Sequence, residues 1–152
     1  MLVPLSRILI VEDDPDIQQL VAFALHDLGG MTVEVVETGQ QALARVPVFA
    51  PDLVVLDWML PDLDGIETFA AIRGLASYRM VPIVFLTAKA RRDDVARLHA
   101  LGAAAVLLKP FDPLQLAGEV CAIWEGLRGT RSILKASWCG YARCTRHSCQ
   151  TA

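Results

Sequence analysis

The chain has 152 residues, 54% of them hydrophobic and 20% charged, with a formal net charge of −3. That length suits one domain with some spare chain, and no apolar run approaches the roughly 18–20 residues that a membrane-spanning helix needs. The charge is unevenly spread: residues 1–127 hold 9 Lys/Arg and all 17 Asp/Glu, a balance of −8, whereas residues 128–152 hold 5 basic residues and no acid. So acidic a domain is a poor non-specific binder of phosphate backbones, and direct nucleic-acid binding is not expected. Met1 to Ile10 lacks the basic start, long apolar core and cleavage site of a signal peptide, so the expected location is cytoplasmic.

The apolar residues come in short bursts that alternate with helical spacings. Arg7–Val11 is a β-branched strand, followed by Pro15 at a helix start and apolar positions at Ile17, Leu20, Val21, Ala24 and Leu28, with Gly29-Gly30 as the stop. Thr32–Val36 is a second strand, and Gln40–Val46 is a short helix expected to end at Pro47. Leu53–Leu56 is a third strand, followed by the turn-rich Pro61–Gly65 and a helix near Ile66–Leu75. Ile83–Leu86 precedes a helix near Asp93–Leu101, and Ala105–Leu108 precedes a helix from Pro113 to about Leu127. Short continuous apolar runs suit strands buried on both faces. Five of them alternating with five helices predict right-handed crossovers and a five-stranded, parallel, doubly wound α/β sheet with helices on both faces.

Sheets of this kind carry their sites beyond the C-terminal ends of the strands. Here the first strand ends in Glu12-Asp13-Asp14, the third in Asp57, the fourth in Thr87 and the fifth in Lys109-Pro110. Carboxylates brought together repel one another, and burial adds a desolvation penalty; a hard divalent cation relieves both. Mg²⁺ prefers oxygen ligands and keeps open positions that a phosphoryl group can fill. A carboxylate at Asp57 can act as a nucleophile towards phosphorus, with Lys109 as a mobile point charge and the Thr87 hydroxyl as a donor to a phosphoryl oxygen. Asp14 before Pro15 reads as a helix cap, and Asp62 and Asp64 as structural turn residues. Trp58 is expected as a partly exposed loop wall, and His26 and His99 as surface or boundary residues.

Ile8–Asp14 (ILIVEDD), Val55–Gly65 (VLDWMLPDLDG), Ile83–Ala88 (IVFLTA) and Leu108–Phe111 (LKPF) together resemble the receiver domain of two-component response regulators. The resemblance covers residues 5–127. It implies a flavodoxin-like strand order 2-1-3-4-5 and a phosphoryl group taken from a phosphohistidine onto Asp57. It further implies Mg²⁺ held by Asp13, Asp57 and the backbone carbonyl of Met59 with help from Glu12 through water, and phosphoryl oxygens recognised by Thr87 and Lys109. Ala88 fits the small residue that leaves the phosphoryl group room, and the Lys109–Pro110 peptide is often cis in such domains. The implied partners are a sensor histidine kinase or phosphotransfer protein and a downstream protein target, with no membrane insertion and with a homodimer left open. The implied chemistry is limited to the domain's own phosphorylation and dephosphorylation, so it is not an enzyme acting on other substrates. The phosphoryl lifetime would depend on Met59 and Lys89.

Two departures stand out. Val106 occupies the position of the usual Tyr or Phe, and Ala104 and Ala105 replace the two Asp residues that often precede it in DNA-binding relatives. A receiver-like module locked in one state is therefore an alternative, as is the receiver piece of a DNA-binding transcriptional regulator. A phosphatase of the haloacid dehalogenase type would need a second Asp two residues after the nucleophile, and Met59 stands there, leaving nothing to protonate a leaving group. The segment 128–152 is expected to be a flexible basic extension, too short for a DNA-binding output domain, which makes a stand-alone receiver the expected form. Its Cys139, Cys144, His147 and Cys149 match no common zinc spacing.

Overall fold

The computed structural model describes residues 4–88 and 91–128. The basic segment with Cys139, Cys144, His147 and Cys149, and also Lys89, lie outside the described residues. Strand β1 (Arg7–Val11) pairs in parallel with β2 (Thr32–Val36) and with β3 (Leu53–Leu56). Strand β3 pairs with β4 (Ile83–Thr87), and β4 with β5 (Ala105–Leu108). The order is β2-β1-β3-β4-β5, as expected, with β4 one residue longer than its apolar run. The winding reverses beside β1, so the ends of β1 and β3 flank the crevice where such sheets bind ligands.

Alternate residues of each strand serve opposite layers. Ile8 and Ile10 pack into one core, with Val21, Leu25, Leu116 and Trp124. Leu9 and Val11 pack into the other, with Val46, Phe69, Ile72 and Leu98. Two full cores in a domain this size account for much of the apolar composition, and among the described residues no helix is long and apolar enough to cross a membrane.

Helix α1 (Pro15–Ala22) starts where expected, with the Asp14 side chain accepting from Asp16 N, and continues as a π-helical segment, Phe23–Leu28. The buried stripe is narrower than the apolar spacing suggests. Leu20, expected inside, is 42% exposed, whereas Leu25 is fully buried. Gly30, at φ 75, makes the left-handed turn that ends the segment. Helix α2 (Gly39–Phe49) runs through Pro47 rather than stopping before it. Proline so near the end removes one helical donor. The last turn is held instead by Ala50 N donating to Val46 O at 2.9 Å and by Phe49, buried under the Arg7 guanidinium. Helix α3 (Gly65–Arg73) opens with a capping box between Asp64 and Glu67. Helices α4 (Arg92–Leu101) and α5 (Pro113–Arg128) lie close to their predicted spans.

The start of α3 presses on the loop after β3. A Cβ at Gly65 would meet Asp57 O at 2.5 Å and Trp58 Cα at 2.6 Å, so the backbone would have to move. Gly65→Ala should therefore lose about 1–3 kcal/mol, the scale of overpacking. Gly126→Ala, in α5 with nothing within 4 Å of the added carbon, should gain about 0.5–1 kcal/mol from helix propensity. Urea denaturation of the two variants beside wild type checks both signs.

A second prediction concerns pH. Arg45 on α2 donates through Nη2 to Glu34 Oε1 on β2 at 2.9 Å and also through Nε to Oε2, and these bonds hold the Glu34 carboxyl below its ordinary value. A carboxylate with a depressed folded pKa stabilises above its unfolded pKa and loses that contribution as pH falls through the folded one. Glu34→Gln should melt slightly below wild type at neutral pH, and the gap should close as pH drops below about 4. Thermal melts from neutral to acid pH measure it.

Candidate functional site

The sheet's hydrogen-bond ladder runs one step beyond the strands, and the residues on that step are the site. Glu12 N donates to Val36 O at 3.0 Å, Asp57 N to Val11 O at 3.0 Å, and Lys109 N to Thr87 O at 2.9 Å. Each candidate side chain therefore inherits the rigidity of a strand. Glu12, Asp57 and Thr87 are buried, Lys109 is half-buried and Asp13 is exposed.

Lys109 ties the cluster together. Its Nζ donates to Glu12 Oε1 at 2.8 Å and stands 3.5 Å from Asp57 Oδ2. Burial works against its charge, but the Glu12 hydrogen bond and the Asp57 charge raise the ammonium above its usual value. Burial pushes the Glu12 carboxyl up to about 7, against the Lys109 hydrogen bond and with the nearby Asp57 charge adding to the rise. One ammonium thus faces two buried carboxylates, and a third, Asp13, stands beside them. An oxygen from each of Glu12, Asp13 and Asp57 lies within 4.8 Å of the others, and an all-oxygen, acid-rich donor set of this kind fits a hard divalent cation.

The loop after Asp57 is closed on itself. Met59 N donates to Asp57 Oδ1 at 3.3 Å, and Gly65 N to Trp58 O at 2.6 Å. Trp58 is not the partly exposed wall expected: it is 3% exposed and belongs to the core beneath α3 and α4. A large ring gains more from burial than from a loop position, and Arg97 of α4 lies over it at 5.9 Å. Met59, by contrast, is 60% exposed. Asp62 caps α2, accepting from Gly39 N at 2.9 Å and Gln40 N at 3.0 Å. His26 and His99 are exposed, and neither approaches the site. The Lys109–Pro110 peptide is cis. Val106 pairs in register with Phe85, a fully buried ring that stacks on Phe69 at 5.8 Å.

Sequence reasoning missed Gln18, whose Nε2 donates to Glu12 O at 2.6 Å and braces the β1 end from the first turn of α1. Nothing in the pattern marks it, because a polar residue there reads as solvated helix surface. Arg97 was missed for the same reason.

Comparison with known proteins agrees with this geometry. Residues 8–120 match the response regulator receiver domain family. The chain belongs to that family. It is 36% identical over 117 residues to the phosphate regulon transcriptional regulatory protein PhoB of Escherichia coli, covering 77% of this chain and 51% of PhoB. It is 40% identical over 117 residues to the DNA-binding response regulator MtrA of Mycolicibacterium smegmatis, covering 77% and 50% respectively. This receiver thus spans about half the length of the curated relatives it matches. Among solved structures, the chemotaxis response regulator CheY4 of Vibrio cholerae superposes with a TM-score of 0.73 at 30% identity, over 78% of this chain and 98% of that one. The BeF3-activated receiver domain of Klebsiella pneumoniae RstA gives 0.69 at 33%, over 76% and 95%.

Removing one carboxylate should relax the receiver's acidic edge. Asp13→Asn should raise the melting temperature in the absence of divalent cations, by a free energy of about 1 kcal/mol, the scale for two unit charges roughly 4 Å apart in a high dielectric. A divalent cation held by this cluster should raise the melting temperature less in the variant than in wild type, as thermal melts with and without Mg²⁺ would show.

Proposed function

We propose that Asp57 is the phosphoacceptor of this receiver, taking a phosphoryl group from a phosphohistidine on a sensor histidine kinase or phosphotransfer protein. The observation that supports this most directly is the Lys109 ammonium at 3.5 Å from Asp57 Oδ2, placed at a strand end beside two further acids. A carboxylate oxygen of Asp57 attacks phosphorus, the P–N bond breaks, and its electron pair returns to the imidazole. Lys109 then neutralises a phosphoryl oxygen, and the Thr87 hydroxyl at the end of β4 donates to another. Glu12, Asp13, Asp57 and the Met59 carbonyl would hold Mg²⁺, which supplies charge neutralisation between the acidic edge and the incoming phosphoryl group.

The chain's chemistry, in this reading, is its own phosphorylation and dephosphorylation rather than turnover of another substrate, in the cytoplasm, with a protein partner receiving the signal. A second reading has a specific observation behind it: the receiver spans about half the length of PhoB and MtrA, which are named as transcriptional and DNA-binding regulators. A longer reading frame encoding a DNA-binding domain at the same locus would favour it.

Intact-mass measurement after incubation with acetyl phosphate and Mg²⁺ tests the acceptor. Wild type should gain one phosphoryl group and Asp57→Asn none. Equal gain by both would remove Asp57 from the role. No gain by wild type would favour a module locked in one state.

A further inference from the structure

At the end of the sheet opposite Asp57, the turns that lead into β3, β4 and β5 and the last turns of α5 surround an open cavity of about 740 Å³. That is within the roughly 300–1,000 Å³ usual for small-molecule sites. Its charged lining is Arg73, Arg79 and Asp52. The Asp52 Oδ2 already accepts from Ser6 N at 3.1 Å and Arg7 N at 2.9 Å, so that carboxylate is committed to the start of β1.

Arg73, the last residue of α3, is the unusual feature. It is half-buried, its guanidinium lies 4.7 Å over the Phe69 ring, and Nη1 donates to Val81 O at 2.7 Å. Among the described residues no carboxylate comes within ion-pair distance of it. Burial pushes its guanidinium below the usual arginine range. An arginine has five N–H donors, and a stacked, oriented guanidinium suits planar oxyanions. Arg79 adds a second, exposed cation at the rim. In a chain whose residues 1–127 sum to −8, this lining is net positive. The remaining wall is largely apolar, with Tyr78 and the 85% exposed Met80, while Trp124 is 4% exposed and belongs to the core behind it.

We propose that this cavity is a second ligand site of the receiver, taking a small amphipathic organic anion whose carboxylate or phosphate meets Arg73 and whose flat apolar body lies against Tyr78 and Met80. The site does not depend on the phosphoacceptor reading, since it shares no residue with the Asp57 edge.

The test uses the full chain, titrated with 1-naphthoate, 1-naphthyl phosphate and neutral 1-naphthamide and followed by amide chemical shifts. Saturable shifts centred on Tyr78, Met80 and Gly102 are expected for at least one anion, and the tighter anion tells carboxylate from phosphate. The amide should bind at least about tenfold more weakly, as should the preferred anion to Arg73→Gln, from loss of one charged hydrogen-bonding partner. Because Arg73→Gln also loses the bond to Val81 O and could fold poorly, the exposed Arg79→Gln serves as the second variant and should weaken binding about threefold. Asp57→Asn should bind as wild type does. Shifts confined to the Asp57 edge, no saturation by either anion, equal binding of the neutral amide, or unchanged affinity in both arginine variants would overturn the proposal.

Discussion

Electrostatic crowding at one edge of the sheet governs how this molecule is built. Glu12 and Asp57 are buried with Asp13 beside them, and the Lys109 ammonium is the cation that bridges the two buried acids. Left in water, these groups would separate. They stay together because each is the first residue past a strand and its amide still belongs to the ladder, donating to Val36 O, Val11 O and Thr87 O respectively for Glu12, Asp57 and Lys109. The folding energy of two apolar layers thus holds a cluster that its own charges oppose. The raised Glu12 carboxyl is the local expression of that opposition. A site so loaded with negative charge is poised for cations and for chemistry that brings cationic help.

The loop that follows Asp57 is organised around the same edge. Trp58 turns inward to the core, Met59 turns outward, and Gly65 closes the loop by donating to Trp58 O. Asp62 reaches across to cap α2, and Asp64 caps α3. Two acids two residues apart thus cap two different helices, set by which backbone amides each one meets. Asp62 is exposed; the little desolvation it suffers works against its charge, yet the amides of Gln40 and Gly39 keep its carboxyl below the ordinary value. Arg97 over Trp58 is one contact between α4 and this loop. On the neighbouring strand, Val106 offers only a small aliphatic group beside Phe85, whose ring stacks on Phe69.

Much of this was legible in the residues. All five strands were placed from their apolar runs, and the acidic, Thr and Lys set was read from the strand ends, because strands buried on both faces leave an unbroken signal and their polar successors stand out against it. Where reading failed, local rules competed with packing. Pro47 looked like a stop, but burial of Phe49 under Arg7 and the Ala50 N to Val46 O bond carry α2 past it. Leu20, which the apolar spacing put on the buried stripe, is exposed, because Val21, Ala24 and Leu25 fill the face that packs on the sheet. Trp58 looked like a loop residue by its neighbours, and only the space beneath α3 and α4 decided that it is buried.

The sequence by itself determined the order and type of the elements, the two-sided burial of the sheet and the identity of the residues at its working edge. Those depend on hydrophobic periodicity and on residue chemistry, both of which are local. Tertiary structure alone decided the 2.8 Å bond from Lys109 to Glu12, across 97 residues of chain, and the bracing of Glu12 by Gln18. It also placed Arg73 within a cavity, away from any carboxylate in the described residues. The physical reason is the same in each case. Distances between charges, and the water excluded from around them, are properties of how elements pack, and no spacing along the chain encodes them.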